Sequence, residues 1–360
     1  MKSWAVVALL IVLGIPAGCT STGPDVLSLE HGLYNNALHQ SRSEQLLLNI
    51  VRLHYRELPQ FLTVSAINSR FEFERQAGAV TQLESGMSTP VDIAGRLTWS
   101  ENPTITYVPL RGQSFVTEVL SPVTPATLAL IANSGWAVDR LFRLSVQRLG
   151  GLPNAPSASG PTPFSVPEYA QFLDTIRRLR ELQRGDALYL RAATTDDGES
   201  VMVMQVTPAG LGTDQYAAIA EVLGPADPSG RWLLAGPGVM PEQAHRVQIE
   251  TRSFLSMLYY LGHGVHAPRN HIERGLVTQT SDNEGNPFDW QLLMGGLFEV
   301  NSSSARPRDA DVAVSYRGTW FSIHEADLES KTSFALAQIM LALKSGELKE
   351  AGPALTLSVD

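Results

Sequence analysis

The chain has 360 residues, of which 44% are hydrophobic and 18% charged, the balance of a folded globular protein and not of a disordered one. Its net charge of -9 disfavours nucleic acid or an anionic lipid surface as the main ligand, since both attract basic patches. With a single cysteine, Cys19, the chain has neither an internal disulfide nor a thiolate metal site.

Lys2 precedes an apolar run from Trp4 to Ile15. That run is shorter than the roughly 20 residues a membrane-crossing helix needs, so residues 1–18 read as the charged and apolar regions of a secretory signal peptide. Ala17 and Gly18 then stand before Cys19. This segment resembles a bacterial lipobox, with Pro16 where the pattern usually has a branched aliphatic residue. The resemblance implies cleavage before Cys19, a diacylglyceryl group on its thiol, and membrane attachment through acyl chains, which need no basic patch to hold. Thr20 instead of Asp after the cysteine looks like an outer-membrane sorting signal in a cell with two membranes.

A lipidated N-terminus and polar tether over 19–40 leads to an amphipathic helix. Ser41 and Glu44 have capping-box spacing, Leu46, Leu47, Ile50, Val51 and Leu53 form one face, and Pro59 ends the helix. Strand character follows from Phe61, with alternation over Arg70–Glu74, and a second short strand spans Thr104–Val108. Two or three helices occupy 112–149. The stretch 150–167, with five prolines among Gly, Ser and Ala, reads as an exposed linker or loop. The helix Tyr169–Gln183 turns Phe172, Leu173, Ile176, Leu179 and Leu182 inward. Its outer arginines, Arg177, Arg178, Arg180 and Arg184, read either as a partner-binding face or as a solvated one paired with Asp174 and Glu181. Strands Ala187–Ala192 and Ser200–Val206 flank a turn at Asp196, Asp197 and Gly198.

The remaining chain adds a helix near Gln215–Leu223, strands near Trp232 and at Val247–Glu250, and a helix at Ser253–Leu261. Strands follow around Leu297, at Val312–Tyr316 and at Trp320–Ile323, then the helix Phe334–Leu343 and a last alternating strand at Leu355–Val359. The pattern predicts an α+β fold of mixed helices and short, mostly antiparallel strands, with an N-terminal part over 41–149 and a C-terminal part over 168–360. A transmembrane barrel is excluded, because regularly repeated ten-residue alternating segments are absent.

The best candidate for chemistry is the run Gly262 to His271, which holds His263, His266 and His271, with Glu273 as a candidate base beyond it. Imidazoles are common zinc ligands, but the spacing is not that of two ligands four apart on one helical face. No nucleophile elbow, dinucleotide fingerprint or phosphate loop occurs. The carboxylate pairs Asp196/Asp197 and Asp309/Asp311 read as solvated loop acids. No catalytic residue, metal or cofactor is assigned on these signals.

Three stretches, Arg42–Arg52, Thr104–Leu110, and Tyr316–Ile323 with Asp327–Phe334, together resemble a family of uncharacterised bacterial lipoproteins of about this length. The resemblance implies a lipoprotein and carries no activity with it. The expectation is therefore an envelope lipoprotein acting as a structural or protein-interaction module, with an envelope protein as partner and no nucleic acid. The alternatives are an envelope hydrolase using His263, His266 and His271, and a solute-binding lipoprotein.

Overall fold

The computed structural model describes residues 22–80, 92–161, 166–195, 198, 200–237, 245–277, 279–282 and 284–346. The signal segment 1–18, Cys19, Asp196, Asp197 and the last strand expected at 355–359 lie outside the described residues. The chain divides into a first unit, Met1–Glu44, and a body, Gln45–Asp360. Helices and mixed sheets make the fold α+β, and no sheet of the described residues closes into a barrel.

Helix α1 runs from Thr22 to His54, so the tether expected over 19–40 is helical from Thr22 onward. Gly23 and Pro24 fall in its first turn, where a proline costs little because that N–H has no helical acceptor. Ser41 and Glu44 are therefore interior and not a capping box. Glu44 instead accepts a hydrogen bond of 3.0 Å from Gln40 one turn back. Within the body, Leu46, Leu47, Ile50, Val51 and Leu53 are buried. The helix stops before Pro59 can end it, because Arg56 turns left-handed (φ 59°) and Glu57 N–H donates back to the Arg52 carbonyl at 2.9 Å. Buried Asn49 then clamps the exit, donating to the Gln60 carbonyl at 2.7 Å and accepting from Gln60 N–H at 2.9 Å.

The next elements are long where short strands were expected. β1 (Leu62–Val80) and β2 (Asp92–Pro109), 19 and 18 residues, pair antiparallel over their length, with Phe73 opposite Trp99 and one register shift between Val64 and Ala66. Neither strand pairs with any other among the described residues.

Helix α2 (Pro125–Asn133) is capped by Thr124, which accepts from Thr127 N–H at 3.2 Å, and α3 (Val138–Ser145) leads straight into β3 (Val146–Leu149). β4 (Leu152–Pro153), α4 (Ala170–Arg184), β5 (Leu188–Thr194), β6 (Ser200–Val206), α5 (Asp214–Leu223), β7 (Arg231–Ala235) and β8 (Arg246–Thr251) follow. They build one six-stranded sheet in the order β4-β3-β8-β7-β6-β5, antiparallel except for the β7–β8 pair. All five inward residues expected on α4 are buried. Of its arginines, Arg178 pairs with Asp174 at 2.8 Å and Arg180 with Asp139 at 3.6 Å, the solvated reading of that face.

Residues 152–160 of the stretch expected as an exposed linker over 150–167 pack into the body instead, and the chain does not divide there into parts 41–149 and 168–360. β3 and β4 pair through β3 with β8 from the far side of the stretch, and Leu152, Asn154, Ala155 and Ala158 are buried. The physical cause is Arg252, which has no exposed surface at all. Its guanidinium donates to the carbonyls of Arg143 (3.0 Å), Leu144 (3.2 Å), Val146 (2.8 Å) and Asn154, and to Ser159 Oγ (2.8 Å). It also lies over the Tyr260 ring, 4.0 Å from the centroid. Carbonyl dipoles thus take the place of a carboxylate, and small residues at 155 and 158 let the backbone approach the charge. Burial holds this guanidinium down, to a pKa of about 10.

After β8 come α6 (Phe254–Gly262), β9 (Asn301–Ser303), β10 (Ala310–Tyr316), β11 (Thr319–His324) and α7 (Leu328–Gly346). The last three strands form a sheet in the order β10-β11-β9. The strand expected at Leu297 is a buried loop, in which Val300 makes a single parallel bridge to Val265. On α7, Leu336 and Met340 are buried but Ile339 and Leu343 are exposed. Among the described residues no helix is long and apolar enough to cross a membrane.

Candidate functional site

The histidine run begins at the C-terminal end of α6, which Ser253 caps by accepting from Ser256 N–H at 3.1 Å. Gly264 lets the loop pack tightly. A Cβ on it would lie 2.4 Å from the Phe298 carbonyl oxygen, closer than any side chain allows. The loop is then fixed to the segment after Phe298 by Val300 N–H donating to Gly264 and His266 N–H donating to Val300, both at 2.9 Å.

That placement sends the three predicted histidines to three environments. His263 stacks on Trp290 with ring centroids 3.7 Å apart and planes 13° from parallel, and one ring N–H faces the Ala158 carbonyl. His266 is exposed. Its Nε2 lies 3.0 Å from Gln291 Nε2 and 3.3 Å from Glu299 Oε1. His271 is buried elsewhere, with Nδ1 2.7 Å from the Tyr55 hydroxyl. Burial pushes that tyrosine up to about 12, and beside it Arg317 bridges Glu57 (2.7 Å) and Tyr316 Oη (3.0 Å).

The residue that joins His263 is His54, the last of α1. Its ring N–H faces the Gly262 carbonyl. In both rings the remaining nitrogen, Nε2, is sealed from solvent and has no hydrogen-bond partner. Burial is the main cause that drives His54 down to about 4 and His263 down to about 3, with His266 lowering His54 and His54 lowering His263 further. Both rings are therefore neutral at neutral pH. They line a cavity of about 240 Å³ with His266, Asp289, Trp290 and Gln291. A recess of about 20 Å³, the size of one water, touches both histidines between Leu53 and Pro161.

No serine, threonine, cysteine or lysine lines the described part of the larger cavity. A general base works best with a pKa near the working pH, so these two imidazoles are weak bases at pH 7. Glu273 pairs with Arg269 at 3.0 Å on an exposed turn, away from the cavity lining. Asp309 and Asp311 form separate pairs, with His324 and Lys331, each at 2.7 Å. Among the described residues, no three His, Cys, Asp or Glu side chains group so as to hold a metal ion.

His54 and Trp290 were not singled out from the sequence. His54 had a signal, since it falls seven residues after Leu47 on the helix's apolar stripe. Trp290 had none. The fold and site together define an α+β protein with a neutral histidine pair beside a small cavity and a long hairpin that, among the described residues, joins no other strand. Compared with protein-family models, with curated proteins and with solved structures, the chain matches none of them.

Proposed function

We propose that this chain is a lipid-anchored cell-envelope protein that works by contact with other proteins and not by turnover. The observation that carries the contact reading is the hairpin β1–β2, which pairs with nothing else among the described residues although a lone two-stranded ribbon is marginal in water. A ribbon of this length gains most from a partner. The anchor rests on Cys19 behind its apolar run, and Thr20 supports the outer membrane as its destination in a cell with two membranes. The weak basicity of His54 and His263 supports a role other than hydrolysis.

The test is made in growing cells. Cys19→Ala should abolish labelling by a palmitate analogue and release the protein from the membrane fraction, and crosslinking followed by pull-down should recover an envelope protein with the anchored form. Undiminished labelling of the variant would contradict the anchor. A second reading, solute capture, draws on the 240 Å³ cavity. A small molecule that co-purifies with the wild type and is lost from Trp290→Ala would favour it.

A further inference from the structure

We propose that His54 and His263 together hold one copper(I) ion between their Nε2 atoms, in a site independent of the contact reading. Both side chains belong to the body, His54 as the last residue of α1 and His263 at the end of α6. In each ring one N–H faces a backbone carbonyl, that of Gly262 for His54 and that of Ala158 for His263. Metal-binding imidazoles have this outer support, because it fixes the tautomer and leaves the lone pair of the other nitrogen for the ion. That other nitrogen is Nε2 in both rings, sealed from solvent and without a hydrogen-bond partner among the described residues. The stack on Trp290, with 3.7 Å between centroids, holds the His263 ring in its plane. Both rings border the same one-water recess and the same larger cavity, which offer the ion a seat and a way in.

The number and charge of the ligands choose the ion. Zinc takes four ligands in structural sites and three protein ligands in catalytic ones. No group of three His, Cys, Asp or Glu side chains forms around these two histidines among the described residues. His266 lines the cavity, but its Nε2 already lies 3.0 Å from Gln291 Nε2 and 3.3 Å from Glu299 Oε1. Copper(I) has a closed d shell, accepts imidazole nitrogen and is satisfied by two such donors in line. Charge also favours it. The cost of burying an ion rises with the square of its charge, roughly fourfold from a monovalent to a divalent ion. A proton would put its charge on one ring, whereas a shared copper(I) spreads it over two, and Asp289 in the cavity lining supplies the opposite charge. No lysine or arginine of the described lining competes for that carboxylate.

The test uses the full chain isolated from membranes in mild detergent and freed of metal. It is titrated with copper(I) alone, without oxygen, against a colorimetric copper(I) chelator. The wild type should take about one copper per chain, and its X-ray absorption should show a two-coordinate ion with nitrogen neighbours. His54→Gln and His263→Gln should each weaken binding more than about a hundredfold, beyond what loss of a supporting residue costs. His266→Gln should keep the wild-type affinity. Thermal unfolding of the metal-free chains separates loss of a ligand from loss of fold, and the wild-type spectrum decides by itself if either variant does not fold. No copper held against the chelator, a sulfur or a third nitrogen at the ion, or binding that survives either substitution would overturn the proposal. Copper lost from His266→Gln as well would overturn it in favour of a three-histidine site.

Discussion

The hairpin and the six-stranded sheet begin from the same alternation of apolar and polar residues and end in opposite ways. Along β6 the apolar set finds its cover within the chain, and Val201, Met202, Met204 and Val206 are buried in the common core. β1 and β2 carry alternation as well, at Arg70–Glu74, yet among the described residues they pair only with each other. The contrast separates two outcomes of one pattern: in the sheet it is joined strand to strand into a fold, and in the ribbon it stops at one pairing, on which the contact reading rests. The body should therefore be stable by itself and sensitive to its own centre, while the ribbon should be sensitive to its partner.

The largest expected effect on the body comes from Arg252. Replacing it by Leu removes five hydrogen bonds from the interior, and should cost about 3–5 kcal/mol, as removal of one member of a buried charge network does. A denaturant midpoint close to that of the wild type would break the contrast.

Acid should act next. His54 and His263 are depressed in the fold, so the unfolded chain binds more protons below about pH 6.5. The stability they contribute is complete above that pH and falls as pH drops toward about 4 and about 3. With the partial exposure of both rings discounted, the loss should reach about 2 kcal/mol by pH 5.5. His263→Gln should flatten the profile between pH 6.5 and 5, and a variant with the full wild-type slope would assign the effect elsewhere. Gly264→Ala should cost about 1–3 kcal/mol through its clash with Phe298, whereas Gly160→Ala, with nothing within 4 Å among the described residues, should change stability by less than about 0.5 kcal/mol. The smallest effect is Tyr55→Phe, which removes one buried hydrogen bond to His271 and should cost about 1 kcal/mol in thermal or chemical unfolding.

Local pattern revealed the parts whose cause is local. The inward face of α4 and the strands β5, β6, β10 and β11 all follow from periodicity and turn residues near in sequence. The linker reading of 150–167 failed because its five prolines describe the backbone alone. What holds residues 154–159 inside is Arg252, about a hundred residues on, and a buried arginine without an acid leaves no mark in composition. The hairpin was half visible. Arg70–Glu74 and Thr104–Val108 showed the alternation, but Gly78, Gly95 and Pro103 hid the continuity that pairing across the ribbon restores. Of the site, the histidine loop was legible and its partners were not. His54 and Trp290 reach it through tertiary packing, from residues far away along the chain.

Photo-crosslinking in living cells tests the contact reading most directly. A benzophenone amino acid at position 99, on the hairpin, is compared with one at position 189, on the sheet where Tyr189 is 48% exposed. The account predicts a discrete adduct from position 99 that fades when Cys19→Ala releases the protein from the membrane, and none from position 189. No adduct from position 99, or equal labelling from both positions, would contradict it.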